Sequence, residues 1–536
     1  MMEQSNTVTT SSLFHTAALK QALRQDPAPS EHKSILQDWS KNLAALNQKD
    51  KASRLSTFLQ KIIVDLLGYS SPGTLKDLTG ADGDFFDAKL GSLGNKDNTN
   101  IVLVKLMDAG RIDTDASNDG SRPDTVDEAR KLAKEAGSGR FLLLTNLDEV
   151  RIYSLTNRRK TYESFSLTSM ADDTAAYQRF VTLLGAQNVL AGNTEALLKA
   201  SFENYLKDKM THSRHRTLKE VYGEFLPGLP YAMDAAFVVD YPTYGRFMQE
   251  EPAARDILPQ FFPADSYRQW FSDDRPYWLI YTPKGKVDID RYPVVKAHLE
   301  TFRADLEKRD GDQKWYEHHQ LDNTDLPQGT GLRVATGSLL PWPGFIITKN
   351  TSQFSEGSHY INNADYSLFA LLNSPAMAKL ITLVAPKTES GMYELSKDLL
   401  EALPIPFISG ENSARLGRWS HFTMEGTQDL NYLVKHVIAM AANDLSPENT
   451  KLPPTEKLQN WFELDFDAFR EEVRLSFKVD IPEEKLEEWS EHFYHEQGTY
   501  YQLYTRMEET ALQMEEVIHS LFDLDEDDIE TIKASR

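Results

Sequence analysis

The sequence predicts a multidomain protein of mixed α/β and α+β class that closes in a helical region. Three observations predict it. Residues 101–154 alternate short apolar runs with one amphipathic helix pattern. Residues 231–408 mix strand-like runs with many aromatics and prolines, and residues from about 411 onward carry acidic, helix-periodic sequence. At 536 residues the chain is long enough for two to four domains, each able to bury a core.

Residues 1–30 are rich in Ser, Thr and Gln with Pro27 and Pro29, and read as a flexible leader with a short helix. Leu36, Trp39, Leu43 and Leu46 then recur at three- and four-residue steps. So do Leu55, Phe58, Leu59, Ile62, Ile63 and Leu66, ending at Gly68. Both patterns predict amphipathic helices whose apolar stripes serve the core. Residues 101–106 form an apolar run broken only by Lys105, the pattern of a buried strand. A helix is predicted over 126–136, then strands at 141–144 and 150–154 joined by a turn at 145–149. Together these make an α/β module over residues 31–170.

Residues 171–226 read as a helical connector, with Tyr177, Phe180, Val181, Leu184, Leu197, Leu198 and Phe202 carrying the period. It contains a basic cluster: Lys207, Lys209, Arg214, Arg216 and Lys219, with His212 and His215. Such a cluster serves either as a solvated face or as a stripe of phosphate contacts. Pro227-Gly228-Leu229-Pro230 punctuates the start of a mixed domain over 227–410. Residues 411–536 form an acidic helical region that ends in Asp525-Glu526-Asp527-Asp528.

Composition narrows the chemistry. With no cysteine, disulfides, thiolate metal sites and cysteine nucleophiles are excluded. No run approaches the ~18 apolar residues that a membrane helix requires, and no basic-then-apolar signal pattern opens the chain. A cytoplasmic protein without membrane contact is therefore expected. The net charge of -23 opposes tight autonomous binding to DNA, itself a dense polyanion, although local patches make the contacts. The same charge admits an acidic surface that imitates DNA.

The residues bear on four kinds of site. A PD-(D/E)xK nuclease places one acid at a strand, then an acid and a lysine two residues apart on the next strand. Alternation sets the last two on one face, where carboxylates hold a divalent ion. Asp87 and Lys105 fit two of these roles, but the position two before Lys105 is Leu103, which cannot ligate magnesium. A rearranged site with Asp84, Asp87 and Lys105 is the residual alternative. Adenine methyl transfer requires an Asn/Asp-Pro-Pro-Tyr/Phe loop and a glycine-rich strand-to-helix turn, and neither is present. Metal binding by His318-His319 or by His492 and His495 beside Glu491 and Glu496 competes with ordinary surface histidines. Gly-x-Ser-x-Gly and phosphate-loop signatures are absent. DNA recognition without catalysis is the fourth. Arg275, Lys284, Lys286, Arg291, Lys296, Arg303, Lys308, Arg309 and Lys314 interleave with Tyr281, Tyr292, Trp315 and Tyr316. Its structural alternative is an aromatic core with a charged helix over 294–309 outside it.

Taken together, these segments resemble the two ends of the large type IIG restriction-modification enzymes and similar phage-defence adenine-specific DNA methyltransferases. The resemblance skips the methyltransferase domain. At the front it rests on residues 58–69, on Asp87-Ala88-Lys89-Leu90-Gly91, on residues 126–133 and 141–153, on Tyr162-Glu163-Ser164-Phe165 and on 177–190. At the back it rests on residues 233–240, 277–283 and 288–316, on Leu371-Leu372-Asn373-Ser374, on Leu403-Pro404-Ile405-Pro406, and on residues 489–524.

The resemblance implies a degenerate PD-(D/E)xK-like N-terminal domain, a mixed target-recognition-like domain and a helical C-terminal region. Where the family has Glu-x-Lys this chain has Leu103-Val104-Lys105, and Glu128 replaces a glutamine of the next helix. Pro263-Ala264-Asp265 stands where the family carries an Arg-Gly-Arg-Asp stretch. The implied role is a non-catalytic DNA-recognition or regulatory component of a restriction-modification or phage-defence system. An acidic decoy of a full-length enzyme and a residual metal-dependent endonuclease are the alternatives. The vestigial nuclease residues are Asp87 and Lys105. Lys207, Arg214, Arg216, Arg275, Lys284, Arg303, Lys314, Trp315 and Tyr316 are the candidate DNA contacts. No cofactor is expected, and magnesium only if nuclease activity survives. The expected partners are DNA, a restriction-modification or phage-defence protein, or both.

Overall fold

The computed structural model describes the chain except residues 1–11, 24–25, 71–78, 81–82, 92–101, 111, 113–123, 138, 158, 160, 230–234, 273–275, 319–330, 446–451 and 534–536; at 79–80 and 83–84 it describes the backbone. The chain divides into two compact units: Met1–Lys209 with Asp525–Ala534, and Met210–Leu524 with Ser535–Arg536.

The first unit is an α/β sheet layer. Helix α1 spans Ser30–Leu46, and α2 spans Lys51–Phe58 with Asp50 as its N-cap. The predicted second helix does not continue as a regular α-helix. Leu59–Leu66 is π-helical, with Leu67 N bonded to Ile62 O at 3.0 Å. The wider turn lets the neighbouring pairs Ile62-Ile63 and Leu66-Leu67 all become buried. The five strands are β1 Ala88–Leu90, β2 Val102–Leu106, β3 Phe141–Thr145, β4 Glu149–Ser154 and β5 Tyr162–Ser166. They lie in chain order in one sheet. Only β2 and β3 are parallel, joined by the crossover helix α3, Thr125–Glu135.

Both sheet faces are covered, which is why β2 and β3 read as continuous apolar runs rather than alternating ones. Val102, Val104 and Phe141 enter a core with Trp39, Phe58 and Phe180. Leu103, Leu142 and Leu144 pack on the other side with Val126, Ala129 and Leu132 of α3. The predicted turn after β3 contains Leu147 at φ 78°, whose carbonyl accepts from Trp39 Nε1 at 2.8 Å. Within the segment expected as a leader, Leu13 and Phe14 are fully buried. Glu163, itself buried, holds them by accepting from Phe14 N at 2.9 Å and from Ser12 Oγ at 2.6 Å.

In the second unit, after a short helix over Leu218–Tyr222, the short edge strand β6, Leu226–Pro227, enters the predicted Pro-Gly-Leu-Pro punctuation. That segment is pinned: Gly228 N donates to Ser358 O at 2.9 Å and Leu229 N to Phe354 O at 2.7 Å. Two small four-stranded sheets follow. One contains β7 Val238–Val239, β8 Gln260–Phe262, β9 Tyr277–Leu279 and β10 Gln353–Phe354, in the order β7-β9-β8-β10. The other joins β6 to β11 Leu332–Gly337, β12 Ile346–Lys349 and β13 Ser358–Ala364. The single charged helix predicted over 294–309 is instead two, α4 Pro293–Glu300 and α5 Arg303–Leu306. At the break the backbone tightens to bonds three residues back, Thr301 N to His298 O at 3.1 Å and Phe302 N to Leu299 O at 3.0 Å.

Beyond these lie α6 Tyr366–Leu372 and α7 Pro375–Val384, then α8 Gly410–Leu445, α9 Phe466–Phe477 and α10 Leu486–Leu521. The predicted helical C-terminal region is thus present, built around fully buried Trp461, Phe469 and Phe493. Among the described residues no single helix is long and apolar enough to cross a membrane. The bent pair α6–α7 passes that test by composition, yet Leu368, Phe369, Met377 and Leu380 are wholly buried, as in a core hairpin.

Candidate functional site

Asp87 and Lys105, the residues expected from the nuclease pattern, stand opposite each other in the sheet but bond to other partners. Asp87 N bonds Val104 O at 2.8 Å as β1 begins, which sets Asp87 across from Lys105 in β2. Asp87 is nearly enclosed, and both its oxygens are engaged. Oδ2 accepts from Leu106 N at 2.7 Å, and Oδ1 meets the Lys51 ammonium at 2.7 Å. Lys105 Nζ donates to Phe85 O at 2.7 Å and lies 3.8 Å above the Phe85 ring. Burial lowers the Lys105 pKa, Asp87 resists that shift, and Lys51 adds to it.

The third position is Leu103, with no solvent exposure. It packs so closely under the turn after α3 that a β-carbon on Gly139 would fall 2.8 Å from Leu103 Cδ1. A divalent ion needs several oxygen ligands, and magnesium strictly so. Among the described residues the set does not fit one: the leucine offers no oxygen, and Asp87 is already shared by an amide and an ammonium. The Asp84 side chain lies outside the described residues. Among the described residues no three His, Asp or Glu side chains gather in a metal-ligating group. His318 is buried and hydrogen-bonded to Ile280 O at 2.8 Å, His319 lies outside the described residues, and His492 sits 3.8 Å from Glu496.

The candidate DNA contacts fall into separate groups. In the first unit, Lys207 is half-buried on the helix Asn193–Met210. Its neighbour Lys209 is drawn to the C-terminal acids, reaching Asp528 at 2.6 Å and Asp525 at 3.3 Å. In the second unit, Arg214 pairs with Asp523 at 2.6 Å, and Arg216 donates to Glu220 O. Lys219 pairs with Glu224 and with the buried Glu401, each at 2.9 Å.

Arg303, Lys314, Trp315 and Tyr316 do come together. Arg303 lies 4.9 Å from the Trp315 ring centre, and Lys314 Nζ donates to Tyr316 Oη at 3.2 Å. Buried Glu317 ties this loop to the one bearing Lys284, accepting from Lys314 N at 2.8 Å and Gly285 N at 3.0 Å. Four of the cations pair with acids of the same segment: Lys284 with Asp312, Lys296 with Asp290, Arg303 with Glu307 and Lys308 with Asp305. Residues 275–317 hold nine Lys and Arg but also eight Asp and Glu, so little net positive field remains. Arg275 lies outside the described residues.

The terminal acids are likewise occupied. Asp528 is 1% exposed and accepts from Arg159 Nη2 and Lys209 Nζ, both at 2.6 Å. Asp525 and Asp528 also cap each other's backbone, at 2.9 and 3.1 Å. Sequence reading missed Lys51 and Arg54, which sit at the start of α2 well before Asp87; nothing in their local pattern marks them. Arg54 approaches Asp108 at 4.0 Å.

A family model described as a domain of unknown function, DUF8810, matches residues 409–518, which run from α8 through most of α10. No curated protein matches. Among the solved structures that match is a type IIL restriction-modification enzyme, MmeI, in complex with DNA. It is 16% identical with a TM-score of 0.26, and the match covers 54% of this chain and 35% of that one. The chain thus spans well under half of that enzyme, and a likeness so slight carries no argument about fold or function.

Proposed function

We propose that this chain is a non-catalytic DNA-recognition or regulatory component of a restriction-modification or phage-defence system, working without a cofactor. The observation that carries the reading is the state of the nuclease-like site. The resemblance of residues 87–153 to a PD-(D/E)xK domain is joined to a leucine sealed in the second acid's place and a lysine ammonium on the first acid. A scaffold that keeps its sheet and loses its ligands is suited to holding rather than cutting. The recognition-like segment contributes contacts around Arg303, Lys314 and Trp315. Its balanced charge makes autonomous DNA binding weak, so a protein partner from the same system completes the role.

The neutralised C-terminal acids argue against the decoy reading in that region. A DNA mimic needs its carboxylates facing solvent, whereas Asp528 is buried on two cations. Binding of the full chain to labelled duplex DNA at several salt concentrations tests the proposal, together with co-purification against a full-length relative. Salt-dependent binding or a stable partner is expected, with no plasmid cleavage in magnesium or manganese. Cleavage lost in Lys105→Ala would replace this reading with the residual-nuclease one.

A further inference from the structure

Helix α10 turns Trp489, Phe493, Tyr500, Met514 and Ile518 inward. Its opposite side carries a second regular series: Tyr494, Gly498, Tyr501, Thr505, Glu508 and Leu512, at alternating steps of four and three residues. All six are exposed, and the apolar members stand well into solvent, with Tyr494 at 53%, Tyr501 at 45% and Leu512 at 60%. The series runs for about five turns, about 27 Å of helix. A lone exposed apolar side chain is ordinary on a protein surface, whereas anchors that repeat along one heptad seam are the pattern of a helix-packing face. The anchors are also held before anything binds. Tyr501 Oη donates to Phe462 O at 3.1 Å, and Tyr494 lies edge-on to the buried Phe493 ring, which lowers the ordering cost of an interface. A β-carbon on Gly498 would meet no atom within 4 Å among the described residues, so another backbone can approach there.

Charge selects what the seam accepts. Eight residues of α10 are glutamates, and Arg506 is its only lysine or arginine. Arg506 lies over Phe422 of α8, 5.2 Å from the ring centre, while Glu487, Glu491, Glu508, Glu509 and Glu516 are exposed in or beside the seam. A second copy of this face would set glutamate against glutamate, and DNA would bring phosphates into the same negative field, so both are disfavoured. We infer that the α10 seam docks a basic amphipathic helix of a protein partner. The partner's aliphatic side chains pack between Tyr494, Tyr501 and Leu512, and its lysines or arginines face the flanking glutamates. Such docking rests on the partner-assisted reading proposed above and deepens it by giving the partner's chemistry and its place on this chain.

The test is fluorescence anisotropy of the full chain with a labelled synthetic peptide of about three heptads, leucine at the seam positions and lysine on either side. One control peptide carries glutamate in place of lysine, and another has the lysine peptide's composition scrambled so that the seam is lost. The lysine heptad peptide is expected to bind, more weakly as salt rises from about 50 to 200 mM, and both controls to bind at least about 10-fold more weakly. Tyr494→Ala and Leu512→Ser are each expected to weaken its binding about 3- to 10-fold. Glu491→Lys combined with Glu509→Lys should weaken it by about 10-fold and flatten its salt dependence. Circular dichroism checks that each variant is folded. Absence of binding, equal binding of the scrambled peptide, or unchanged affinity in both Tyr494→Ala and Leu512→Ser would overturn the seam. Tighter binding of the glutamate peptide, or a self-association of the chain that Leu512→Ser abolishes, would overturn the basic partner. The peptide result decides the seam whether or not the chain binds DNA or co-purifies with a full-length relative, so the seam and the function proposed above fail separately.

Discussion

Asp528→Asn is the most direct probe of how the C-terminal helix Glu526–Lys533 is held in the first unit. The carboxylate is 1% exposed and accepts from Arg159 and Lys209, both at 2.6 Å, and from Asp525 N at 3.1 Å. Asparagine keeps the shape but removes the charge, and turns an amide donor toward one cation. Removing one partner of a buried ion pair costs about 3–5 kcal/mol when the remaining charge is stranded. Here the stranding is partial. Arg159 and Lys209 are 18% and 31% exposed, and Arg159 still reaches Asp525 at 3.5 Å and Asp527 at 3.4 Å. The expected cost is therefore about 2 kcal/mol, equivalent to about a 30-fold shift in the opening equilibrium of this helix. Hydrogen exchange with mass spectrometry reads it: peptides covering 526–533 should exchange about 30-fold faster, while those within 486–521 stay unchanged. Unaltered protection over 526–533 would refute the argument that this buried carboxylate is the tie.

Four further outcomes are expected. Burial opposes ionisation of Asp525, but the Asp528 N–H, Arg159 and Lys209 outweigh it and lower its pKa. A depressed carboxylate stabilises the fold above the unfolded value of about 3.9 and loses that contribution as pH falls through the folded value. The difference in melting temperature between wild type and Asp525→Asn should accordingly vanish as pH falls below about 4. Gly228→Ala would place a β-carbon 1.9 Å from Ser355 O and 2.9 Å from Phe354 O, both rigid backbone. It should cost the second unit about 3 kcal/mol, seen as a lowered thermal midpoint. Leu103→Ala should cost about 2–5 kcal/mol in urea denaturation. Leu103→Glu with magnesium should leave plasmid uncut, because Lys51 still occupies Asp87.

Much of the first unit was legible in its sequence because its strands are buried on both faces. Continuous apolar runs such as residues 141–144 have few other uses at that length, and the turn at 145–149 separates them. The α3 helix was equally plain, with Val126, Ala129, Leu132 and Ala133 at helical spacing. The break at Thr301-Phe302 was not legible, since Val295, Leu299 and Leu306 keep a helical spacing across it. Nor was the π-helical stretch, where Ile62-Ile63 fits an ordinary amphipathic stripe as well as a widened turn.

Residue identity alone settled that Leu103 cannot ligate a metal ion, that cysteine chemistry is absent, and that the methyltransferase loops are missing. These are matters of which atoms exist, and no folding changes them. What the charges do was settled in three dimensions. Arg159 and Asp528 are 369 positions apart, and Lys51 and Arg54 precede Asp87 and Asp108 with no local sign of lying beside them. Electrostatic partnership depends on separations of a few ångströms, which a linear pattern does not encode. The fold therefore turned a run of terminal acids into a buried tie, and an apparent basic stripe into a set of paired charges.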